Sequence, residues 1–277
     1  MSIYGWRGRI GVIYPPVGCL CPPEIYKMLP EGVAVYSTLA EGPPVPEDMH
    51  FETDEFGRVH PILHYIKEAK KPELEERLGR RRLKDMSECA RRLAMVSDVI
   101  IYMCTTLSLV MGLGYDEEII KLIEEGAKLP GITKPIPGLT TATAVYTAMN
   151  RMGMKKVVLV SPYFQESNEI HKVFYEAHGT QVINMKSLGL NNDQYAMAAM
   201  EPGDWYKAAR TVWVPEADGV VIPCANVRSA DAIECIERDL NTTVVTAFQA
   251  STWACLNKLG IKESIQGYGR LLREGLQ

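Results

Sequence analysis

The chain has 277 residues, 47% of them hydrophobic and 23% charged, the range of an ordinary soluble globular protein and long enough for two α/β lobes. A net charge of −4 gives no argument for nucleic acid or for an acidic membrane surface. Seven cysteines, an odd number, with no apolar leader over 1–14 and no apolar run near the roughly 18 residues of a membrane span, point to reduced thiols in a cytoplasmic protein.

In chain order, the pattern predicts strands at 9–14, 33–38, 98–103, 156–161, 180–184, 218–223 and 243–246, with a short extended stretch near 134–137. Val and Ile dominate these runs, and several lack polar alternation, as strands buried on both faces do. Helical stretches are predicted at 23–29, 73–96, 115–127, 141–152, 165–178, 204–214, 230–239 and 250–259. Alternation of this kind implies βαβ units and parallel sheets. The expected fold class is α/β, with two similar Rossmann-like lobes related by a pseudo-twofold and an active site in the cleft between them.

The halves can be laid on one another. Ile10 to Pro15 matches Val157 to Pro162, the stretch ending at Cys104 matches that ending at Cys224, and Thr140 to Val145 matches Ala247 to Thr252. Proline to cysteine is longer in the first half, which places an insertion within about 44–85. The expected organisation is a first lobe over 1–139, joined by a C-terminal helix over 249–277, and a second lobe over 140–248.

Ligands of open parallel sheets bind outside the carboxyl ends of the strands. That rule collects Pro15 and Gly18, then Cys104, Thr105 and Thr106, then Tyr163 and Asn168, then Cys224, Ala225 and Asn226. The set holds two thiols, several hydroxyls and backbone N–H groups, so a carboxylate is its natural ligand. Cys89, Cys235 and Cys255 fall within amphipathic helices and read as core, and Cys19 and Cys21 read as packing near the first loop. The five histidines, His50, His60, His64, His171 and His178, do not cluster with the cysteines, and no metal site is expected. The basic run Arg80-Arg81-Arg82-Leu83-Lys84 reads as a solvated helix face. Gly112-Leu113-Gly114 and Gly267-Tyr268-Gly269 do not follow the dinucleotide pattern, so no cofactor is expected.

Several segments together resemble the aspartate/glutamate racemase superfamily, and within it the arylmalonate decarboxylase and maleate cis–trans isomerase branch. They are Ile10-Gly11-Val12-Ile13-Tyr14-Pro15-Pro16, Met103-Cys104-Thr105-Thr106-Leu107-Ser108, Ser161-Pro162-Tyr163 with Asn168, Ser187-Leu188-Gly189, Pro223-Cys224 and Gly267-Tyr268-Gly269-Arg270-Leu271. The resemblance implies that Cys104 and Cys224 carry the chemistry and that Thr105, Thr106 and Tyr163 hold a substrate carboxylate. Arylmalonate decarboxylases keep only the second cysteine, with glycine at the position of Cys104. Maleate isomerases carry an asparagine in the first strand-end loop, where this chain reads Pro15-Pro16-Val17-Gly18, more like the decarboxylases. The expected activity is a cofactor-independent isomerase or racemase of a small carboxylic acid. An arylmalonate-type decarboxylase using Cys224 as proton donor is the alternative, and a carboxylate-binding protein without turnover a second one. A homo-oligomer is compatible with all three.

Overall fold

The computed structural model describes residues 4–15, 22–40, 51–53, 59–61, 85–109, 112–190 and 194–276. Strands β1 (Gly8–Tyr14), β2 (Val33–Leu39), β3 (Phe51–Thr53), β4 (Val59–Pro61), β5 (Val99–Tyr102) and β6 (Gly138–Thr140) precede β7 (Lys156–Ser161), β8 (Gln181–Ser187), β9 (Gly219–Ile222) and β10 (Thr243–Thr246). Two parallel four-stranded sheets result, ordered β2-β1-β5-β6 and β8-β7-β9-β10. The order is the same when the strands are matched one to one, as a duplicated chain requires. Strands β3 and β4 form a small antiparallel pair within the 44–85 region, most of which lies outside the described residues, as do Gly18, Cys19, Cys21, His50, His64 and the basic run 80–84.

One device marks the duplication at the base of each sheet. Asp98, just before β5, accepts the backbone N–H of Arg9 at 3.0 Å, while its own N–H donates to Arg9 O at 2.8 Å. Asp218, just before β9, accepts the N–H of Lys156 at 3.1 Å, and its N–H donates to Lys156 O at 2.8 Å. Each aspartate therefore staples an outer strand of the central pair to the other in fixed register. Arg9 adds a bidentate ion pair to Asp98, at 3.0 and 2.7 Å, and this holds the Asp98 carboxyl below the usual carboxylate range.

The fourth strand of the first sheet, β6, begins later than the sequence implies. Pro135 and Pro137 have no N–H to give a ladder, so pairing starts at Gly138 and not within 134–137. Strand β8 runs three residues past 184, since Met185, Lys186 and Ser187 pair at a half-exposed sheet edge where polar residues carry no penalty. The C-terminal segment is two helices, Ala247–Lys258 and Gly269–Glu274, instead of one over 249–277. Gly260, at φ 73°, ends the first of them.

The matched helix starts are offset by one from the sequence pairing. Thr140 caps the helix Thr141–Arg151, its hydroxyl accepting the Thr143 N–H, and Thr246 caps Ala247–Lys258, accepting the Gln249 N–H. So Thr140 corresponds to Thr246, and Thr141 to Ala247. These two helices pack against each other, both bring buried alanines to the same core cluster (Ala142 and Ala148, Ala250 and Ala254), and Ser251 donates to Thr141 Oγ1 at 3.2 Å. Small residues let the two backbones approach, and the core around this seam draws Ile10 and Val12 from one sheet, Val157 and Val245 from the other.

A second close approach lies at the far side of the first sheet. The end of the helix Tyr115–Gly126 meets the helical stretch over 85–94, and a Cβ on Gly126 would stand 2.2 Å from Ser87 O. Gly126→Ala is therefore expected to destabilise the fold by roughly 1–3 kcal/mol in urea unfolding. A change under about 0.5 kcal/mol, the size of an indifferent surface substitution, would contradict this contact.

Candidate active site

Four strand ends build the site. Strand β5 ends at Tyr102 and β9 at Ile222, and in each case the cysteine stands two residues on, as Cys104 and Cys224. Strands β1 and β7 end at Tyr14 and Ser161, each followed by a proline, Pro15 and Pro162. Ile13 pairs with Tyr102, and Leu159 with Val221, so the continued register sets Pro15 beside Cys104 and Pro162 beside Cys224. Cys224 is buried and Cys104 half-buried, and neither is in a disulfide.

The two halves meet at Tyr163. Its ring is partly exposed, but its hydroxyl is desolvated, with the thiols of Cys224 and Cys104 and the hydroxyl of Thr106 close enough to act on it electrostatically. The Thr106 hydroxyl itself has no hydrogen-bond partner among the described residues. Burial first, and the two thiols after it, raise the phenol well above its ordinary pKa, while Thr106 opposes that rise. Tyr163 therefore stays a neutral hydroxyl, able to donate. Thr105, 1% exposed, opens the short helix Thr105–Leu109, and its hydroxyl has no hydrogen-bond partner among the described residues. Ser108, one turn on, spends its own hydroxyl on Cys104 O. Ala225 and Asn226 follow Cys224 and are buried.

Tyr163 is pinned by its own backbone. Its N–H donates to Ser161 Oγ at 3.1 Å, and its carbonyl accepts from Gly189 at 3.3 Å, with Leu188 and Leu190 bonded to Ser161 O and Pro162 O at 3.0 and 2.9 Å. Gly189 sits at φ 69°, where only glycine turns without strain, so Ser187-Leu188-Gly189 is the clamp on this loop. Asn168, expected in the substrate set, is a member of the same clamp. Its Oδ1 accepts from Ser161 and its Nδ2 donates to Ser187 at 2.9 Å, with the residue fully buried. Of the other expected residues, Pro15, Thr105, Thr106, Tyr163, Ala225 and Asn226 stand at the strand ends, and Gly18 lies outside the described residues.

The segment after Cys224 is tied to the opposite half. Glu24, on the helix Pro22–Lys27, is buried and accepts the Ala230 N–H at 2.8 Å, and Lys27 pairs with Asp231 at 2.7 Å.

One residue of this neighbourhood is invisible in the spacing of the sequence. His171 was read as unconnected to the cysteines, but its ring stacks on Tyr163 with centroids 5.2 Å apart and an interplanar angle of 18°. Only its place on the inner face of an amphipathic helix, three residues after Asn168, could have signalled it. Among the described residues no group of His, Cys, Asp and Glu is arranged to hold a metal ion, and no helix is long and apolar enough to cross a membrane.

The family model for arylmalonate decarboxylase matches residues 79–272, more than half of the chain. The protein belongs to the arylmalonate decarboxylase family. Membership makes it an enzyme of the isomerase or decarboxylase kind. It is 26% identical to a maleate isomerase of Pseudomonas putida over 266 residues, covering 95% of this chain and 96% of that protein. It is 24% identical to the arylmalonate decarboxylase of Bordetella bronchiseptica over 269 residues, 96% of each. The crystal structure of a maleate isomerase from Pseudomonas putida superposes with a TM-score of 0.78 at 22% identity, covering 97% of this chain and 99% of that one. A cysteine-to-serine mutant of the Nocardia farcinica maleate cis–trans isomerase, solved with a covalently bound succinylcysteine intermediate, superposes with a TM-score of 0.74 at 21% identity, covering 96% and 98%.

Burial lowers the pKa of His171 to about 4, from an ordinary 6.5, although the bond to Ser167 works the other way. Between those values the unfolded chain binds a proton that the native one does not, so stability falls as pH drops. The rings that face it, Tyr163 and Tyr175, are both raised and stay neutral throughout. Moving from pH 7 to pH 5 should therefore cost the wild type roughly 2 kcal/mol more than His171→Phe, read by urea unfolding at both values. Equal losses in the two proteins would show that His171 is not the titrating group.

Proposed function

We propose that the protein is an isomerase or racemase of a small carboxylic acid, in which Cys104 and Cys224 act as a pair. The observation that supports this reading is the hydroxyl of Tyr163, which lies within electrostatic reach of both Cys224 and Cys104 and stays a neutral donor, together with two buried threonine hydroxyls, Thr105 and Thr106, that have no partner among the described residues. A substrate carboxylate placed against Thr105, Thr106 and Tyr163 receives hydrogen bonds that strengthen as charge builds on it. Donors of this kind stabilise the enediolate formed when a bond to the α-carbon breaks.

In racemisation one cysteine, as thiolate, takes the α-proton, and the other, as thiol, delivers a proton to the opposite face. In cis–trans isomerisation a thiolate adds to one carbon of the double bond while the neighbouring carbon takes up a proton. The resulting single bond rotates, and loss of the proton and the thiolate restores the double bond. The succinylcysteine intermediate of the Nocardia farcinica relative supports a cysteine that bonds to carbon.

A decarboxylase reading is favoured by one specific observation, the uneven distribution of donors. None of the hydroxyl residues Thr105, Thr106 and Tyr163 has a hydroxyl counterpart in the duplicated sequence, where the matched residues are Ala225, Asn226 and Pro16. Such a site grips one carboxylate through hydroxyls and offers the rest of the substrate no second set of them. In this reading carbon dioxide leaves and Cys224 protonates the enediolate.

Proton NMR in heavy water with malonates, cis-enedioates and chiral 2-substituted acids separates the three outcomes. Loss of the α-proton signal without net conversion marks a racemase, a cis-to-trans change an isomerase, and a deuterated monoacid a decarboxylase. Cys224→Ala should lower kcat by at least about 100-fold in every case, the scale of a lost acid–base group. Cys104→Gly should do the same for an isomerase or racemase and leave a decarboxylase active. An intact rate in Cys224→Ala would remove the scheme.

A further inference from the structure

The helix Gln165–Ala177 presents Asn168, His171 and Tyr175 on one inner face, three, four and seven residues apart, and each is fully buried. Asn168 fixes Ser161, whose hydroxyl takes the Tyr163 N–H. His171 meets the phenol ring itself, nearly parallel at 5.2 Å. Its Nδ1 lies 2.7 Å from Ser167 O, a carbonyl, so that nitrogen carries the proton and donates. Its Nε2 is then a bare lone pair, buried without a partner among the described residues. An unsatisfied buried acceptor is destabilising, and a phenylalanine at this place would carry no such cost. A polar ring held at a loss, against a side chain that both thiols act on, calls for a role in the site.

We propose that His171 is a positioning residue for Tyr163. The imidazole, tethered to the helix backbone at Ser167 and flanked by Tyr175 at 6.1 Å, forms a fixed plate on which the phenol lies. The backbone clamp at Ser161 and Gly189 sets where the Tyr163 Cα sits, but leaves the ring free to turn about its side-chain bonds. The plate removes that freedom and so sets the distance from the hydroxyl to Cys224 and Thr106. Stacking is sequence-tolerant in the ring and intolerant of its loss, so the plane matters more than the nitrogens. Neutrality also matters, since an imidazolium here would place a cation one ring away from the thiol pair.

The proposal rests on Tyr163 being a donor in the reaction, and its test separates the two. His171→Ala and His171→Leu remove the plate, while His171→Phe keeps it. A displacement of about 1 Å in a reacting group costs on the order of 100-fold, so Ala and Leu should lower kcat at least about 10-fold with KM within about 3-fold. His171→Phe should restore kcat to within about 5-fold of wild type, on the same scale. In parallel, the iodoacetamide alkylation rate of Cys224, assigned by mass spectrometry, should change by at least about 3-fold in Ala and Leu and return in Phe, as expected when a polar neighbour of a thiol moves. Leu fills the volume, so it answers for the site if Ala does not fold. Wild-type kcat and alkylation in a folded Ala or Leu variant would overturn the proposal, and so would a Phe variant as impaired as Leu. If wild-type protein turns over none of the acids, the functional reading has failed, and the alkylation series alone then decides the role of His171.

Discussion

The seam between the helices Thr141–Arg151 and Ala247–Lys258 is the constraint on which the rest depends. Each helix follows the last strand of its own sheet and starts at a threonine cap, and each brings buried alanines to the same core cluster. Burying alanines there gives less transfer energy per residue than a leucine seam would. What it gives instead is proximity of two backbones, and with it the proximity of strand ends that belong to different sheets. Cys104 and Thr106 can then act on the same phenol as Cys224, though the two cysteines lie 120 positions apart in the chain.

Each half supplies a different kind of group to that meeting point. The first contributes hydroxyls on a short helix, the second a phenol held by its own loop clamp. Duplication explains the matching backbone, including the twin aspartates at the base of each sheet, and divergence explains the side chains. Where the backbone role persisted the residue type persisted, as in Asp98 and Asp218. Beside the cysteines, which also persist as Cys104 and Cys224, the neighbouring positions diverged, as in Thr105 against Ala225.

Much of this was legible in the chain itself. Unbroken Val and Ile runs told buried parallel strands from amphipathic ones, and the matching of two proline-ended and two cysteine-ended strands revealed the repeat. The short helix Thr105–Leu109 was not legible beyond its caps, since five residues leave no period to read. Strand β6 was displaced by two prolines whose effect on a ladder is local, and β8 was cut short because an edge strand tolerates asparagine and lysine. The clamp bonds of Asn168 were hidden for a different reason. A buried amide beside a strand end has the same spelling whether it faces a ligand or a loop, and only the fold shows its bonds to Ser161 and Ser187. His171 was missed because stacking has no sequence spacing of its own.

The bond from Glu24 to Ala230 bears on how a substrate enters. A carboxylate taken out of water and satisfied by an N–H of the opposite half cannot be pulled away cheaply, since separation would break a charge-assisted bond in a dry setting. The shared core along the helix seam adds a much larger area to the same side of the balance. The two halves therefore behave as a single rigid jaw and not as a flytrap that swings about a hinge. Admission of a ligand then falls to side chains and strand-end loops moving within a standing frame, on the nanosecond-to-microsecond scale of such segments rather than that of whole lobes.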